Sequence, residues 1–445
     1  MPSDLREKNN VAFLWDESHL WGLMAYKSLR ALSLPFDPIR AEDIRQGCLD
    51  RYRMLFVPGG WASNKLKALG ERGIEEIREF VKRGGNYFGL CGGAGLATLD
   101  GIGLLNIKRK PTKERVPSFS GRIYVNLSEH PIFSSLQPSA SGGEVTVSLQ
   151  PVFHAWWPSQ FVVLDRSIRV IATFGEALPD AFSSDLNVGD VDRIGNWKEL
   201  EEIYGINLDP RRLINEPAVV EGKYGEGKVI LSLIHFDTPD DKNGAEVLKN
   251  IWHYLGEAEG QKDRAEDISV TDEWWQSNSL IDGVQPSALI LLKEVEEIID
   301  FGLRNLLWFW RTPVLLQWRR GVRGLEYCTL YNMLKEMSAH HQTEGEELIE
   351  LLHLVQTFKI KAIRLLILER LEMQKGIINY KNSGNREVQQ LRSELFGKTK
   401  HYGGLFKELI DKIDMIVFKS LEGALARLRG FEPPTLGSGG RCSIR

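Results

Sequence analysis

Apolar residues fall in two rhythms along this chain, and the change between them divides it. Up to about residue 257, short unbroken apolar runs at 11–15, 53–57 and 86–90 alternate with segments of helical period at 18–32, 70–83 and 93–99. Such runs read as buried strands, and their alternation with helices predicts a parallel sheet covered on both faces. Residues 104–174 are rich in strand pattern, with turns such as Ser141-Gly142-Gly143. Residues 180–213 read as a polar insertion with one short helix, and 243–256 as an amphipathic helix that closes the domain. Beyond residue 285 strand signals nearly vanish, and helical period dominates at 286–309, 325–340, 344–374, 385–395 and 403–429. The expected organisation is an α/β domain over 1–257, a charged and polar linker over 258–284, an all-α region over 285–430 and a disordered Pro/Gly/Ser tail over 431–445.

The apolar run Asn86-Tyr87-Phe88-Gly89-Leu90 breaks into Cys91-Gly92-Gly93-Ala94-Gly95. A side chain on such a strand-to-helix turn projects from the end of a sheet, near a helix N-terminus that favours thiolate. This is the cysteine form of a nucleophile elbow. A thiol nucleophile needs a base, and 217–235 reads as a hairpin about Gly225-Glu226-Gly227 that ends on His235, with Asp237 two residues on to orient the ring. The run Arg53-Met54-Leu55-Phe56-Val57 ends on Pro58-Gly59-Gly60, whose N–H groups, with that of Gly92, are the expected oxyanion donors. Gly59, Cys91 and His235 all fall at the carboxyl ends of expected strands, where ligands bind in open parallel sheets. His154 and Trp156 are candidates for the pocket wall, with strand packing as the plainer reading of His154. Asp240, Asp241 and Glu246 are alternatives to Asp237 as the carboxylate partner, and Asp237 also suits a helix cap near 243.

In this order the motifs resemble the class I glutamine amidotransferase-like superfamily. The chain looks most like the N-terminal domain of fungal-type biotin-protein ligases and its free-standing bacterial relatives, over roughly residues 10–257. The resemblance implies a flavodoxin-like parallel sheet with helices on both faces and a Cys91-His235-Asp237 site. It departs from the pattern at three places. His235-Phe236-Asp237 stands where the superfamily usually has His-x-Glu, Ile234 where proline is common, and 153–158 where the relatives carry a Gly-Gly stretch. In biotin-protein ligases the chemistry belongs to a different domain.

Composition adds bounds. With 56 Lys+Arg against 60 Asp+Glu the net charge is −4, which implies no global polyelectrolyte partner. The balance is uneven: 24 basic against 19 acidic residues after residue 284, and 32 against 41 before it. No apolar run suits a membrane-spanning helix, and the polar N-terminus lacks the apolar core of a signal peptide. Cysteines 48, 91, 328 and 442 are scattered, which suits reduced thiols in a cytoplasm and offers no zinc spacing, so neither a metal nor another cofactor is expected.

Residues 301–323 interleave five arginines with three tryptophans. Such a stretch can stack on nucleobases or sit at a membrane surface. The plainer reading puts the tryptophans in the core of the helical region and pairs the arginines with Glu344, Glu346, Glu347 and Glu350. Docking onto the N-terminal domain is a further arrangement. No specific nucleic-acid signal emerges.

Two functional expectations follow. The first is a cysteine amidase or amidotransferase-like enzyme acting on a small carboxamide or acyl substrate. The second is a non-catalytic binding module whose helical region meets a protein partner. No synthetase motif, Gly-rich ATP loop or biotin-ligase motif follows residue 285, which argues against a fused glutamine amidotransferase.

Overall fold

The computed structural model describes residues 9–136, 150–256, 286–340, 346–376, 384–397 and 403–428. The expected linker, the Ser141-Gly142-Gly143 turn, Glu344 and the expected tail lie outside them. The chain divides into two units. One comprises Met1–Ser277, Gly302–Leu325 and Leu366–Gln389, the other Asn278–Phe301, Glu326–Leu365 and Gln390–Arg445.

The first unit is a mixed α/β layer structure. Its strands are β1 (Asn9–Leu14), β2 (Asp37–Ile39), β3 (Tyr52–Val57), β4 (Asn86–Leu90), β5 (Ile107–Arg109), β6 (Phe119–Leu127), β7 (Val152–Trp156), β8 (Phe161–Val163), β9 (Arg169–Ala177), β10 (Phe182–Ser183), β11 (Leu186–Asn187), β12 (Pro217–Tyr224) and β13 (Gly227–Ser232). Its helices are α1 (Leu20–Ala31), α2 (Ala41–Arg45), α3 (Ala62–Lys82), α4 (Gly92–Leu96), α5 (Val188–Ile194), α6 (Trp197–Tyr204) and α7 (Lys242–Ile251). The main sheet runs β11-β10-β6-β9-β12-β13-β4-β3-β1-β2, with β7 on β6. The block β2-β1-β3-β4-β13 is parallel, and β12 and the strands beyond it pair antiparallel. The parallel strands are buried on both faces, as their unbroken apolar runs require. Phe13, Phe56 and Phe88 stack from strand to strand at centroid separations of 5.5 and 5.1 Å, and each is fully buried. Each such ring contributes about 1.5–3 kcal/mol by leaving water.

Several expectations shift in detail. Helix α3 begins eight residues before the expected start, because Gly70 (φ 62°, ψ −178°) interrupts the turn and hides the first half from periodicity. The insertion over 180–213 carries two short helices rather than one, each opened by an asparagine side chain, Asn187 and Asn196, that accepts a backbone N–H.

The C-terminal region is helical but not all-α, which corrects the expectation for 285–430. After α8 (Pro286–Arg304), strands β14 (Trp308–Trp310) and β15 (Leu316–Trp318) form an antiparallel hairpin. Four apolar or aromatic residues alternating at 308, 310, 316 and 318 about a Thr312-Pro313 turn give strand period, not helical period. The hairpin belongs to the α/β unit and docks there through polar and aromatic contacts. Arg311 donates from Nη1 to Ser120 Oγ and from Nη2 to Ser120 O, both at 3.0 Å. Its guanidinium lies 5.1 Å from the Trp156 ring and 4.9 Å from Phe182. Gln317 Nε2 donates to Ser184 O at 2.8 Å, and Arg320 reaches Asp185 through its backbone N–H and Tyr204 O through Nη2. Docking onto the N-terminal unit therefore replaces the plainer reading. Glu350 of the supposed acidic partner cluster bonds Lys412 instead.

The second unit takes in most of α8, most of α9 (Leu325–His340), the part of α10 (Glu346–Met373) up to Leu365, the part of α11 (Arg386–Phe396) from Gln390, and α12 (Gly404–Leu428). Tyr327, Phe358, Phe396 and Phe406 make one aromatic cluster at its centre, with centroids 5.8–6.4 Å apart. Lys359 ties α10 to Glu294 and Glu297 of α8.

One tight joint at the end of the sheet is glycine against backbone. A Cβ on Gly93 would overlap the Val57 carbonyl oxygen at the end of β3. Gly93→Ala is expected to destabilise the chain by about 1–3 kcal/mol through overpacking. Chemical denaturation reads this as a lower midpoint at unchanged slope; an unshifted midpoint would contradict the packing described.

Candidate active site

Four loops meet beyond the carboxyl ends of β1, β3, β4 and β13. Cys91 follows β4 directly and is held at φ 47°, ψ −100°, outside the regions an L-residue favours. Its N–H donates to Ser232 O at 2.8 Å, and its carbonyl accepts Gly95 N–H at 2.9 Å, which opens α4. A Cβ on Gly92 would overlap the Gly60 carbonyl, and one on Gly89 would come within 2.7 Å of the Gly93 backbone. Gly60 (φ 114°) in turn abuts the Glu17 carbonyl, so only glycine lets these backbones meet. The loop after β1 is braced by the fully buried Lys65, which donates to Asp16 O at 2.8 Å and to Ser18 Oγ.

His235 and Asp237 follow β13 and are both fully buried. His235 Nδ1 lies 2.9 Å from Asp237 Oδ1, so the aspartate side chain is long enough to reach the ring. The alternative Asp241 is engaged elsewhere, pairing with His154 Nδ1 at 2.9 Å and capping α7 at Gly244. Burial works against the imidazolium, but the Asp237 carboxylate and then the neighbouring Cys91 outweigh it, and the His235 pKa is pushed up to about 10. His235 Nε2 and Asp237 Oδ2 are buried without a hydrogen-bond partner. The Cys91 thiol lies beside the ring yet donates to Trp156 O, at 3.8 Å.

Aromatic residues wall this point. Trp21 sits 4.9 Å from the His235 ring, and a Cβ on Gly59 would lie 3.0 Å from Trp21 and 3.2 Å from His235 Cε1. Trp156 donates from Nε1 to Thr238 Oγ1 at 3.0 Å, and Thr238 donates from Oγ1 to His235 O, so the wall and the base are one network. His154 stacks on Trp156 at 5.5 Å and is half-buried. Trp157 meets Trp21 and stacks on Trp318 of the docked hairpin at 5.4 Å.

All eight residues anticipated at this site, Cys91, His235, Asp237, Gly59, Gly60, Gly92, His154 and Trp156, stand on this rim or its wall. Trp157 lies within the 153–158 stretch where the sequence departs from its relatives, whereas Trp21 was not anticipated. Trp21 lies in a helix whose period marks it as core, so it carries no local signal, while Trp157 sits in a turn with φ 51°. A separate cavity of about 310 Å³, lined by Asp50, Tyr52, Arg53 and Asn86 among others, opens at the amino ends of β3 and β4, away from the thiol. Among the described residues no group of three metal-ligating side chains occurs, and no helix is long and apolar enough to cross a membrane.

With this geometry in hand, comparison with known proteins adds one local match. The family model described as biotin-protein ligase, N terminal, matches residues 43–100, which include the Pro58-Gly59-Gly60 turn and Cys91 but not His235. No curated protein matches the chain. Solved structures match about half of the chain at low similarity. PurLQS from Thermotoga maritima is 16% identical, with 56% of this chain and 99% of that chain covered and a TM-score of 0.36. A protein assigned as a GMP synthase subunit from Thermoplasma acidophilum is 13% identical over 55% of this chain and 93% of that one, with a TM-score of 0.34. A β-galactosidase from Bacillus circulans sp. alkalophilus matches 56% of this chain and 31% of its own at 13% identity, with a TM-score of 0.33.

The buried pair links stability to pH. Folding raises the His235 pKa from 6.5 to about 10, so the folded state binds the extra proton. The stabilisation is complete below about pH 6.5 and is lost as pH rises through about 10. Denaturation midpoints of the wild type are expected to fall between pH 7 and 10 more steeply than those of His235→Gln. Parallel pH profiles for the two proteins would show that the pair carries no such linkage.

Proposed function

We propose that the chain is a cysteine-dependent amidase or acyl-transfer enzyme of glutamine amidotransferase-like type, acting on a small carboxamide or acyl substrate. The observation that carries this reading is the backbone of Cys91: a strained, partly exposed thiol at a strand end, set beside an imidazole whose other nitrogen is already engaged by Asp237. Strain of this kind costs of order 1–3 kcal/mol and persists where the surroundings demand it. The order β2-β1-β3-β4-β13 of the parallel block supports the flavodoxin-like assignment.

In the proposed cycle Cys91 attacks as a thiolate paired with the His235 imidazolium, the form that the raised His235 pKa favours at neutral pH. Sulfur attacks the acyl carbon, and the oxyanion takes hydrogen bonds from the N–H groups of Gly60 and Gly92, with Gly59 shaping the turn. The C–N bond breaks as His235 returns the proton to the leaving amine. Water or a second amine then attacks the thioester, its proton passes to His235, and the thiolate leaves. Trp21 and Trp156 keep bulk water from the ring, and His154 with Asp241 steadies Trp156 from behind.

Alkylation by iodoacetamide, mapped by mass spectrometry, tests the reading. Cys91 is expected to react at least tenfold faster than Cys48 and Cys328, which are buried, and His235→Ala is expected to remove that advantage. Slow labelling of Cys91, indifferent to His235, would leave a binding pocket rather than an enzyme.

A further inference from the structure

Around the turn that carries Trp156 and Trp157, two arginines stand without acidic partners. Arg115 donates from Nη1 to Ser159 O at 3.1 Å, and its Nε is buried without a partner. The Nε of Arg109 is buried and unpartnered in the same way. Among the described residues neither guanidinium meets a carboxylate, whereas nearby cations do: Lys110 pairs with Glu216, Arg122 with Asp180 and Arg212 with Glu201. The hydroxyls of Ser118 and Ser159 are also buried with no hydrogen bond. Four polar groups able to donate are thus left open in one small region.

Backbone pairing shows that they share it. Arg109 stands opposite Phe161 in the β5–β8 ladder, and Lys110 N–H donates to Gln160 O at 2.9 Å. Val116 N–H donates to Gln160 Oε1 at 2.8 Å, and Trp157 N–H to Phe119 O at 2.8 Å. Residues 109–119 therefore run against 157–161. The region also adjoins the thiol: Cys91 donates to Trp156 O, and Arg109 Nη1 lies 3.4 Å from where a Cβ on Gly95 would stand, one turn into the helix that Cys91 opens.

We propose that Arg109 and Arg115, with the hydroxyls of Ser118 and Ser159, form an oxyanion subsite beside Cys91 that holds a negatively charged group of the substrate. This deepens the proposed function and rests on it for the role of Cys91. The chemistry is that of a phosphate ester or a carboxylate. Two half-buried like charges disfavour one another, and burial followed by Arg109 lowers the Arg115 pKa while Cys91 acts in the opposite sense. An anion between them relieves that repulsion and satisfies the open donors. The acyl substrate is thereby anchored at one end while its carbonyl meets sulfur at the other.

Calorimetric titration with inorganic phosphate and, separately, acetate tests the subsite without relying on turnover. Wild type and Cys91→Ser are expected to bind one or both, Arg115→Gln and Arg109→Gln at least tenfold more weakly, and Arg115→Lys to recover part of the loss. Tighter phosphate assigns the handle to a phosphate ester, and tighter acetate to a carboxylate. In wild type the bound anion is expected to slow iodoacetamide labelling of Cys91 at least threefold. Failure of wild type to bind either anion, or binding unchanged in both glutamine variants, overturns the subsite, while the His235 dependence of labelling separately decides the role of Cys91.

Discussion

The site depends on backbone meeting backbone with no side chain between. The turn after β4 presses Gly92 onto Gly60 and Gly93 onto the end of β3, while Gly60 presses onto the loop after β1. Glycine at these points lets three strand ends close to a few ångströms, and the closure forces the residue between β4 and α4 into the strained conformation that Cys91 adopts. A looser packing would relax that strain and let the thiol swing away from the ring.

A buried charged pair is then laid over this rigid floor. Taking His235 and Asp237 out of water is costly, and their attraction offsets that cost only because the geometry is closed on every side. Trp21 faces the ring, Thr238 binds the His235 carbonyl, and Ser28 donates to the Asp237 carbonyl at 2.8 Å. The pair is thus fixed through main-chain anchors on both of its residues, which leaves Nε2 as the one ring nitrogen with no bond of its own.

How much of this was legible follows from what each element depends on. Strands β1, β3 and β4 are buried on both faces, so their apolar runs betray them, and Asn86–Leu90 coincides with the expected segment. Cys91, Gly59 and His235 were visible because glycines and a turn mark strand ends. Their roles are not in the pattern, since chemistry rests on distances. The reach of Asp237 to the ring depended on a local bend that composition does not encode. Arg109 and Arg115 were missed because their meeting is set by the long-range registers of β5 with β8 and β6 with β7. The hairpin β14–β15 was hidden among helices: three-residue strands are too short for periodicity to distinguish, and the guanidinium groups of Arg311 and Arg320 found carbonyls and aromatic faces rather than the expected glutamates.

That hairpin bears on where the chain can be divided. The composition break near residue 257 invites a cut there, but Arg311 lies against Trp156, the residue whose carbonyl holds the Cys91 thiol, and Trp318 covers Trp157. An isolated 1–257 fragment would bare an indole face and strip Ser120 of its guanidinium. The modular boundary implied by composition is therefore not the boundary of the folded body: the α/β unit borrows a strap from the far side of the break, and the rim that carries Cys91 is finished only once the ribosome has passed residue 318.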